Sequence, residues 1–287
     1  MIDTARLSAS LGRPVASVER RPYPYGTSHR LDELDVVLSD GTRLEMLLKD
    51  LRMSEVGATG LSPKPTFLHN PRREIEAYRL LASAGLGVPI CHAAGDDWVL
   101  LEKVPGVELW QLGNVDSWVE AARWLERLHA LFAERPPESE HFLRYDAAYF
   151  RIWPDRARRR HPELSSVLGD YEHVVELLSG LPTTLIHGEF YASNVLVSGS
   201  RIAPVDWEMA GVGPGVLDLA ALSTGWADDE RTAILGSYGH VPVDALDAAR
   251  LHLGLQWLGW SPNWTPPPEH AHDWLNEVTQ ASKRLGL

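Results

Sequence analysis

The sequence predicts an α+β fold in two unequal parts, a small antiparallel sheet followed by a larger, mainly helical region. Three observations carry that expectation. Strand-length runs crowd the first hundred residues, and amphipathic stripes dominate from about residue 116 onward. Between them in character, a short hairpin flanked by polar residues interrupts the helices at 185–206. At 287 residues the chain suffices for one large domain or two lobes, each with a core.

Val15–Glu19, Leu34–Leu38 and Arg43–Leu48 read as strands, the last two joined by the turn Ser39-Asp40-Gly41. The first connection, Tyr23-Pro24-Tyr25-Gly26-Thr27-Ser28-His29, is either a turn that points N–H groups at phosphate or a bare link. Lys49 ends the third strand, a position where a lysine is ordinarily solvated. Asp50–Asn70, with Gly57, Gly60, Pro63 and Pro65, reads as a flexible insertion. A helix is expected over Pro71–Ala84, with proline in its first turn and Ile75, Tyr78 and Leu81 at helical spacing. Cys91, the one cysteine, offers neither a disulfide framework nor a thiolate metal cage. Asp97–Leu101 is a further strand, and Glu102-Lys103-Val104-Pro105-Gly106 breaks it.

Beyond that break Asp116 or Ser117 is expected to cap a helix through Phe132. Its stripe is Trp118, Ala122, Leu125, Leu128 and Phe132, with His129 beside it as a structural histidine. Further helices are expected over Glu163–Leu178 and around 229–238, 243–260 and 268–285.

The chemistry concentrates in LIHGEFYASNVLVSGSRIAPVD, residues 185–206, which sets His187, Glu189, Asn194 and Asp206 along a loop, a hairpin and a strand end. One carboxylate able to take a hydroxyl proton, plus an amide and a carboxylate able to hold magnesium, is the equipment of phosphoryl transfer. The five-residue step from Glu189 to Asn194 equals the Asp-to-Asn step of a protein-kinase catalytic loop.

On these residues the chain resembles the aminoglycoside phosphotransferase and choline kinase-like family. That family carries His-Gly-Asp-x-x-x-x-Asn, a hairpin, and then Ile/Val-Asp-Trp/Phe-Glu; here the segments are HGEFYASN and VDWEMAGVGPGVLDLA, ending in Asp218-Leu219-Ala220. Glu189 replaces the family's catalytic Asp and shifts the carboxylate by one methylene. The resemblance implies a bilobal protein kinase-like fold. Residues 1–101 would be a nucleotide-binding lobe, 102–106 a hinge, and 107–287 the catalytic and acceptor-binding lobe.

The resemblance also implies the site. Glu189 is the base or orienting group, His187 holds the loop, and Asn194 and Asp206 bind Mg2+. Lys49 contacts the nucleotide phosphates, oriented by Glu74, with Glu76 as the alternative partner. Gly26, Thr27 and Ser28 would cover the phosphates, while backbone groups of Glu102 and Val104 would meet the adenine edge. A backbone hinge admits GTP as well as ATP. Trp207 and Glu208 support the metal segment, and Asp218 anchors the catalytic loop.

For the acceptor, two regions stand out. The basic run RIWPDRARRRH, with Arg151 and Arg158, is either a solvated helix face or an anion-recognising patch. Trp257, Trp260, Trp264 and Trp274 make the second region aromatic, either as core or as the wall of an acceptor pocket.

The expected function is Mg-dependent transfer of the ATP γ-phosphoryl group to a hydroxyl of a small molecule such as a sugar, amino alcohol, nucleoside or antibiotic. A non-catalytic kinase-like module that binds nucleotide or a partner is the alternative from another class. A Ser/Thr peptide kinase of a natural-product pathway would share the chemistry. A net charge of −12 argues against general nucleic-acid binding. No apolar run approaches a membrane span and no secretory signal is visible, so a cytoplasmic monomer or homodimer is expected.

Overall fold

The computed structural model describes residues 4–24, 29–52, 65–260 and 272–287. The expectations for Gly26, Thr27, Ser28, Trp264 and most of the 50–70 insertion lie outside the described residues.

Five antiparallel strands form the first sheet in the order β1-β2-β3-β5-β4: β1 (Val15–Pro22), β2 (Arg30–Leu38), β3 (Arg43–Asp50), β4 (Cys91–Ala94) and β5 (Trp98–Glu102). The β2–β3 turn closes where expected. Leu38 N–H donates to the Thr42 carbonyl at 2.9 Å, and Gly41 takes the positive φ of +85° that the turn needs. Alternation along β2 sends Leu34, Val36 and Leu38 to one face, where they meet Met46, Leu48 and Leu100. Leu7 of α1 (Thr4–Leu11) covers that face. Neither α1 nor β4 was anticipated, because α1 buries a single residue and β4 spans only four.

The other face of the sheet receives α2 (Pro71–Leu81). Asn70 caps it by accepting the Arg72 N–H, Pro71 opens its first turn, and Ile75, Ala77, Tyr78 and Leu81 are buried. This packing is continuous with Val99 and Leu101 of β5 and with Trp124, Leu125, Phe190 and Trp207 from the helical part, so one core bridges the two regions.

After β5 the chain is irregular over 103–106, then forms β6 (Val107–Glu108), α3 (Leu109–Leu112) and α4 (Val115–Ala133). The cap of α4 is Asn114, which accepts the Ser117 N–H at 3.0 Å, and not Asp116 or Ser117. After β7 (Leu143–Arg144) come α5 (Ala147–Phe150) and α6 (Ile152–Arg160). The single helix expected over 163–178 is instead a 3-10 turn, Pro162–Ser166, followed by α7 (Tyr171–Ser179). Gly169 separates them in close contact with the Leu287 backbone, and Asp170 starts the second helix by accepting the Glu172 N–H.

The remaining strands are β8 (Thr183–Ile186), β9 (Val195–Ser198), β10 (Arg201–Pro204) and β11 (Gly211–Pro214). They form two small sheets, β10-β9-β6 and β7-β11-β8. Helices α8 (Val216–Leu222), α9 (Asp228–Tyr238), α10 (Val243–Gly259) and α11 (Trp274–Arg284) complete the fold. Helix α10 is buried around most of its circumference, packing on α6, α7, α8 and α11, which makes it the axis of the helical part. Among the described residues no helix is long and apolar enough to cross a membrane.

Candidate active site

Strand β8 delivers His187 and Gly188 to the floor of the site, and a buried carboxylate holds them there. Asp218 on α8 is 1% exposed and accepts the His187 N–H at 2.7 Å, the Gly188 N–H at 2.8 Å and, more loosely, His129 Nε2 at 3.3 Å. His129 also bonds the Tyr238 hydroxyl through Nδ1, which fits the structural role expected of it. Gly188 has φ +82°, and a Cβ there would stand 2.2 Å from the Tyr145 hydroxyl and 2.4 Å from the Met209 carbonyl. Only glycine fits.

His187 is fully buried. Its Nε2 lies 2.9 Å from the Val205 carbonyl, which can only accept, so the proton sits on Nε2 and Nδ1 receives the Glu189 N–H at 3.3 Å. Burial lowers its pKa below the ordinary histidine value despite the nearby Asp218 charge, keeping the ring neutral. The ring therefore ties the loop to the end of β10, with Trp207 packed against it at 4.5 Å between centroids.

Glu189 is half-buried. Its carbonyl accepts the Tyr191 N–H at 2.7 Å and the Asn194 Nδ2 at 3.0 Å. That bond turns the Asn194 amide so that Oδ1 is directed away from the loop backbone. Burial holds the Tyr149 hydroxyl protonated, and the Glu189 charge adds to the effect. Tyr191 feels the same pair of influences.

The β9–β10 hairpin carries the chain to Asp206, the only non-glycine described residue with positive φ, at +65°. Such a conformation is uncommon for a side-chain-bearing residue. It aims the carboxylate at Lys49, whose Nζ is 2.7 Å from Asp206 Oδ1, 3.0 Å from Glu74 Oε1 and 2.8 Å from Glu74 Oε2. Lys49 is thus buried (6% exposed) and not the solvated lysine that its strand-end position suggests. Glu76, the alternative partner, sits near His141 at 3.9 Å instead.

Burial alone would lower the Lys49 pKa, but attraction to Asp206, Glu74 and Glu208 outweighs it and holds the ammonium well above its ordinary value. Glu74 is pushed up to about 6, first by burial and then by the Asp206 and Glu208 charges, which Lys49 only partly offsets. Three carboxylates crowd one ammonium. The local excess of negative charge, and the hard oxygens of Asp206 and Asn194, suit a divalent cation. Among the described residues there is no cluster of three His, Cys, Asp or Glu able to cage a metal alone.

Sequence reasoning missed Arg73. Arg73 is 4% exposed, and its guanidinium bonds the carbonyls of Leu68 (2.7 Å), His141 (2.9 Å) and Glu208 (2.8 Å), pinning three separate segments together. The signal was an arginine inside the apolar face of α2, next to Glu74.

At the expected hinge the Glu102 side chain grips Arg201 of β10 at 2.6 and 2.8 Å, and its N–H donates to the Ile90 carbonyl. The Val104 carbonyl takes the Gly106 N–H, whereas the Val104 N–H has no backbone partner among the described residues.

The acceptor residues divide. Arg151 pairs with Glu172, and Arg158 with Asp155 and the Leu168 carbonyl, so both arginines are engaged within their own helical layer. No hydrogen bond or ion pair joins either of them to the catalytic loop among the described residues. Trp260 stacks on Trp153 with centroids 5.7 Å apart. Trp257 does reach the loop: its Nε1 donates to the Tyr191 hydroxyl at 2.5 Å, and its ring stacks on Trp274 with centroids 5.2 Å apart.

A buried pair between a lysine of a five-stranded sheet and a glutamate of the helix packed on it, facing an Asp on a hairpin end beside a His-Gly-Glu loop, defines a protein kinase-like phosphotransferase of α+β architecture. The chain belongs to the phosphotransferase enzyme family, whose model matches residues 34–252. Solved structures share the fold. A choline kinase from Cryptosporidium parvum Iowa II is 13% identical with a TM-score of 0.61, covering 93% of this chain and 88% of that one. The macrolide 2'-phosphotransferase MphH from Brachybacterium faecium is 18% identical with a TM-score of 0.58, covering 88% and 89%. The APH(2'')-IIa chain of a streptomycin–ATP ternary complex is 15% identical with a TM-score of 0.55, covering 99% and 97%. No curated protein matched the chain by sequence.

Proposed function

We propose that this protein transfers the γ-phosphoryl group of ATP to a hydroxyl of a small molecule, in a magnesium-dependent reaction. The observation that carries the reading is Lys49, buried between Glu74 and Asp206. A buried ion pair is a poor device for stability alone. It is the standard device for holding an ammonium over nucleotide phosphates.

In this reading Lys49 binds phosphate oxygens and Glu74 keeps it pointed at them. Asn194 and Asp206 would hold magnesium, which would supply positive charge against the nucleotide phosphates. The Val104 N–H is the donor left for the adenine edge in the 102–106 hinge. Glu189 accepts the hydroxyl proton as the acceptor oxygen bonds to the γ-phosphorus; the bond to the bridging β,γ-oxygen breaks and ADP leaves. His187 moves no proton, because its Nε2–H is already committed to Val205. Tyr191, Trp257 and Trp274 form the wall beside Glu189 that the acceptor would meet.

Magnesium and nucleotide should therefore bind as a linked pair. Thermal shift with both should exceed the sum of the separate shifts, and Asp206→Asn should lose most of that excess while adenosine binding persists. Equal shifts with and without magnesium would refute the metal assignment. Glu189→Gln should abolish most transfer to acceptor or water at nearly unchanged nucleotide affinity; turnover like wild type would remove Glu189 from the chemistry. Nucleotide binding without turnover on a broad hydroxyl panel would instead favour a non-catalytic module.

A further inference from the structure

His29, at the edge of β2, crosses from the first sheet to the metal segment. Its side chain is 8% exposed, and its Nε2 lies 3.2 Å from Glu208 Oε2, two residues beyond Asp206. A carboxylate accepts, so Nε2 carries a proton toward Glu208. Among the described residues the ring's Nδ1 is buried with no hydrogen-bond partner. Glu74 Oε2 is buried too and receives no aligned hydrogen, although Lys49 Nζ is 2.8 Å away. His29 and Glu74 line one recess of about 10 Å³, together with His69, Asn70 and Glu208.

A buried ring nitrogen with no partner among the described residues and a carboxylate oxygen ion-paired with Lys49 belong to two residues that line the same recess, whose wall also includes Leu51, Leu68 and Pro71. A water molecule has two O–H bonds, and the recess is about the size that admits one. A water there would give His29 Nδ1 the partner it lacks among the described residues.

We propose that His29 is a positioning residue that couples the first sheet to the phosphate site, holding Glu208 directly through Nε2 and Glu74 through one bound water at Nδ1. This rests on the phosphotransferase reading above. His29 would touch no substrate. It would fix the segment that carries Asp206 on one side and the orienter of Lys49 on the other, so the two halves of the site stay in register.

The test exploits the geometry of side-chain amides. Gln places its amide nitrogen near where histidine Nε2 stands, whereas Asn reaches only to the Nδ1 position. The affinity of a nonhydrolysable ATP analogue is measured by calorimetry with and without magnesium, for wild type, His29→Gln, His29→Asn and His29→Ala, with a melting temperature for each. Wild type should gain affinity from magnesium. His29→Ala and His29→Asn should lose about tenfold of that gain, a size typical of residues that orient metal ligands. Their magnesium-free affinity should stay near wild type, and His29→Gln should keep most of the gain.

Retention of the full magnesium gain in His29→Ala would overturn the positioning role while leaving the phosphotransferase reading intact. Equal loss with and without magnesium would make His29 a structural residue and overturn it as well. The same holds if Asn rescues and Gln does not. A wild-type protein with no magnesium gain overturns both the role and the function it rests on.

Discussion

Replacing Lys49 by methionine removes an ammonium and keeps most of its length and volume. Glu74, 1% exposed, is then left without its cation. Removing one partner of a buried pair costs about 3–5 kcal/mol, and the upper part of that range applies at alkaline pH. Asp206 adds less, since its side chain is 30% exposed and water can solvate it.

The cost should depend on pH in a definite direction. Glu74 is pushed up to about 6 with Lys49 in place, against an ordinary 4.5, and losing the ammonium pushes it further. A carboxyl whose folded pKa lies above its unfolded one binds its proton more tightly in the fold. The associated stability is present at low pH and lost as pH rises through the folded value. Lys49→Met should therefore be closer to wild type at pH 5.5 than at pH 8. Adding Glu74→Gln should recover at least half of the alkaline deficit, because a neutral pair replaces an orphan charge. Glu76→Gln, on the half-exposed side of α2, should stay within about 0.5 kcal/mol. Urea denaturation followed by tryptophan fluorescence at both pH values gives each number. A Lys49→Met variant as stable as wild type at pH 8, or a double variant no better than the single, would refute the reasoning.

Asp218→Asn should cost about 2–4 kcal/mol, because an amide oxygen replaces a charged acceptor of two backbone N–H groups and its NH2 finds no acceptor there; denaturation midpoints check this. Gly188→Ala should fail to accumulate as folded protein, since its Cβ meets a hydroxyl and a carbonyl at under 2.5 Å on a backbone at φ +82°; Tyr145→Phe should not rescue it, as the Met209 carbonyl remains. Buried His252, pushed down to about 3 by desolvation, stays neutral in the fold while the unfolded chain protonates near 6.5. Stability should thus fall by about 1.4 kcal/mol per pH unit from that group between roughly 6 and 4, and His252→Gln should flatten the slope in acid denaturation curves.

Much of this architecture is visible in the linear chain. The β2–β3 hairpin follows from Asp40-Gly41 between alternating apolar runs, and the His187–Asp206 segment carries its own spacing. Glu74 also precedes Glu76 on the face that Ile75 and Tyr78 help bury. What local pattern could not supply is convergence. Lys49 becomes a buried cation only because α2 and the end of β10 arrive from residues 74 and 206. Asn114 wins the cap of α4 over Asp116 because its extended backbone and accepting side chain are set by the preceding turn at Gly113. The break at Gly169 was masked by apolar residues on both sides, since Leu168 and Tyr171 are both core. Helix α10, buried nearly all round, has no polar stripe to betray which neighbours it meets. Arg73 illustrates the same limit: three carbonyl partners, from residues 68, 141 and 208, cannot be read from composition.

That arginine has an evolutionary consequence. The chain leaves the sheet at Leu51, whose N–H is held by the Asp97 carbonyl, and it is caught again at Leu68 by the Arg73 guanidinium. Guanidinium does not titrate in the physiological range, so the second clamp holds at any pH the fold survives. With both ends fixed independently of what joins them, the intervening stretch is free to change length and composition without moving Glu74 or Lys49. By chain entropy, doubling the number of residues between two fixed points costs only about 0.6 kcal/mol. The segment between Leu51 and Leu68 is therefore where descendants of this chain can acquire, exchange or shed sequence at little expense, and where a designer can graft a foreign peptide while leaving the catalytic frame alone.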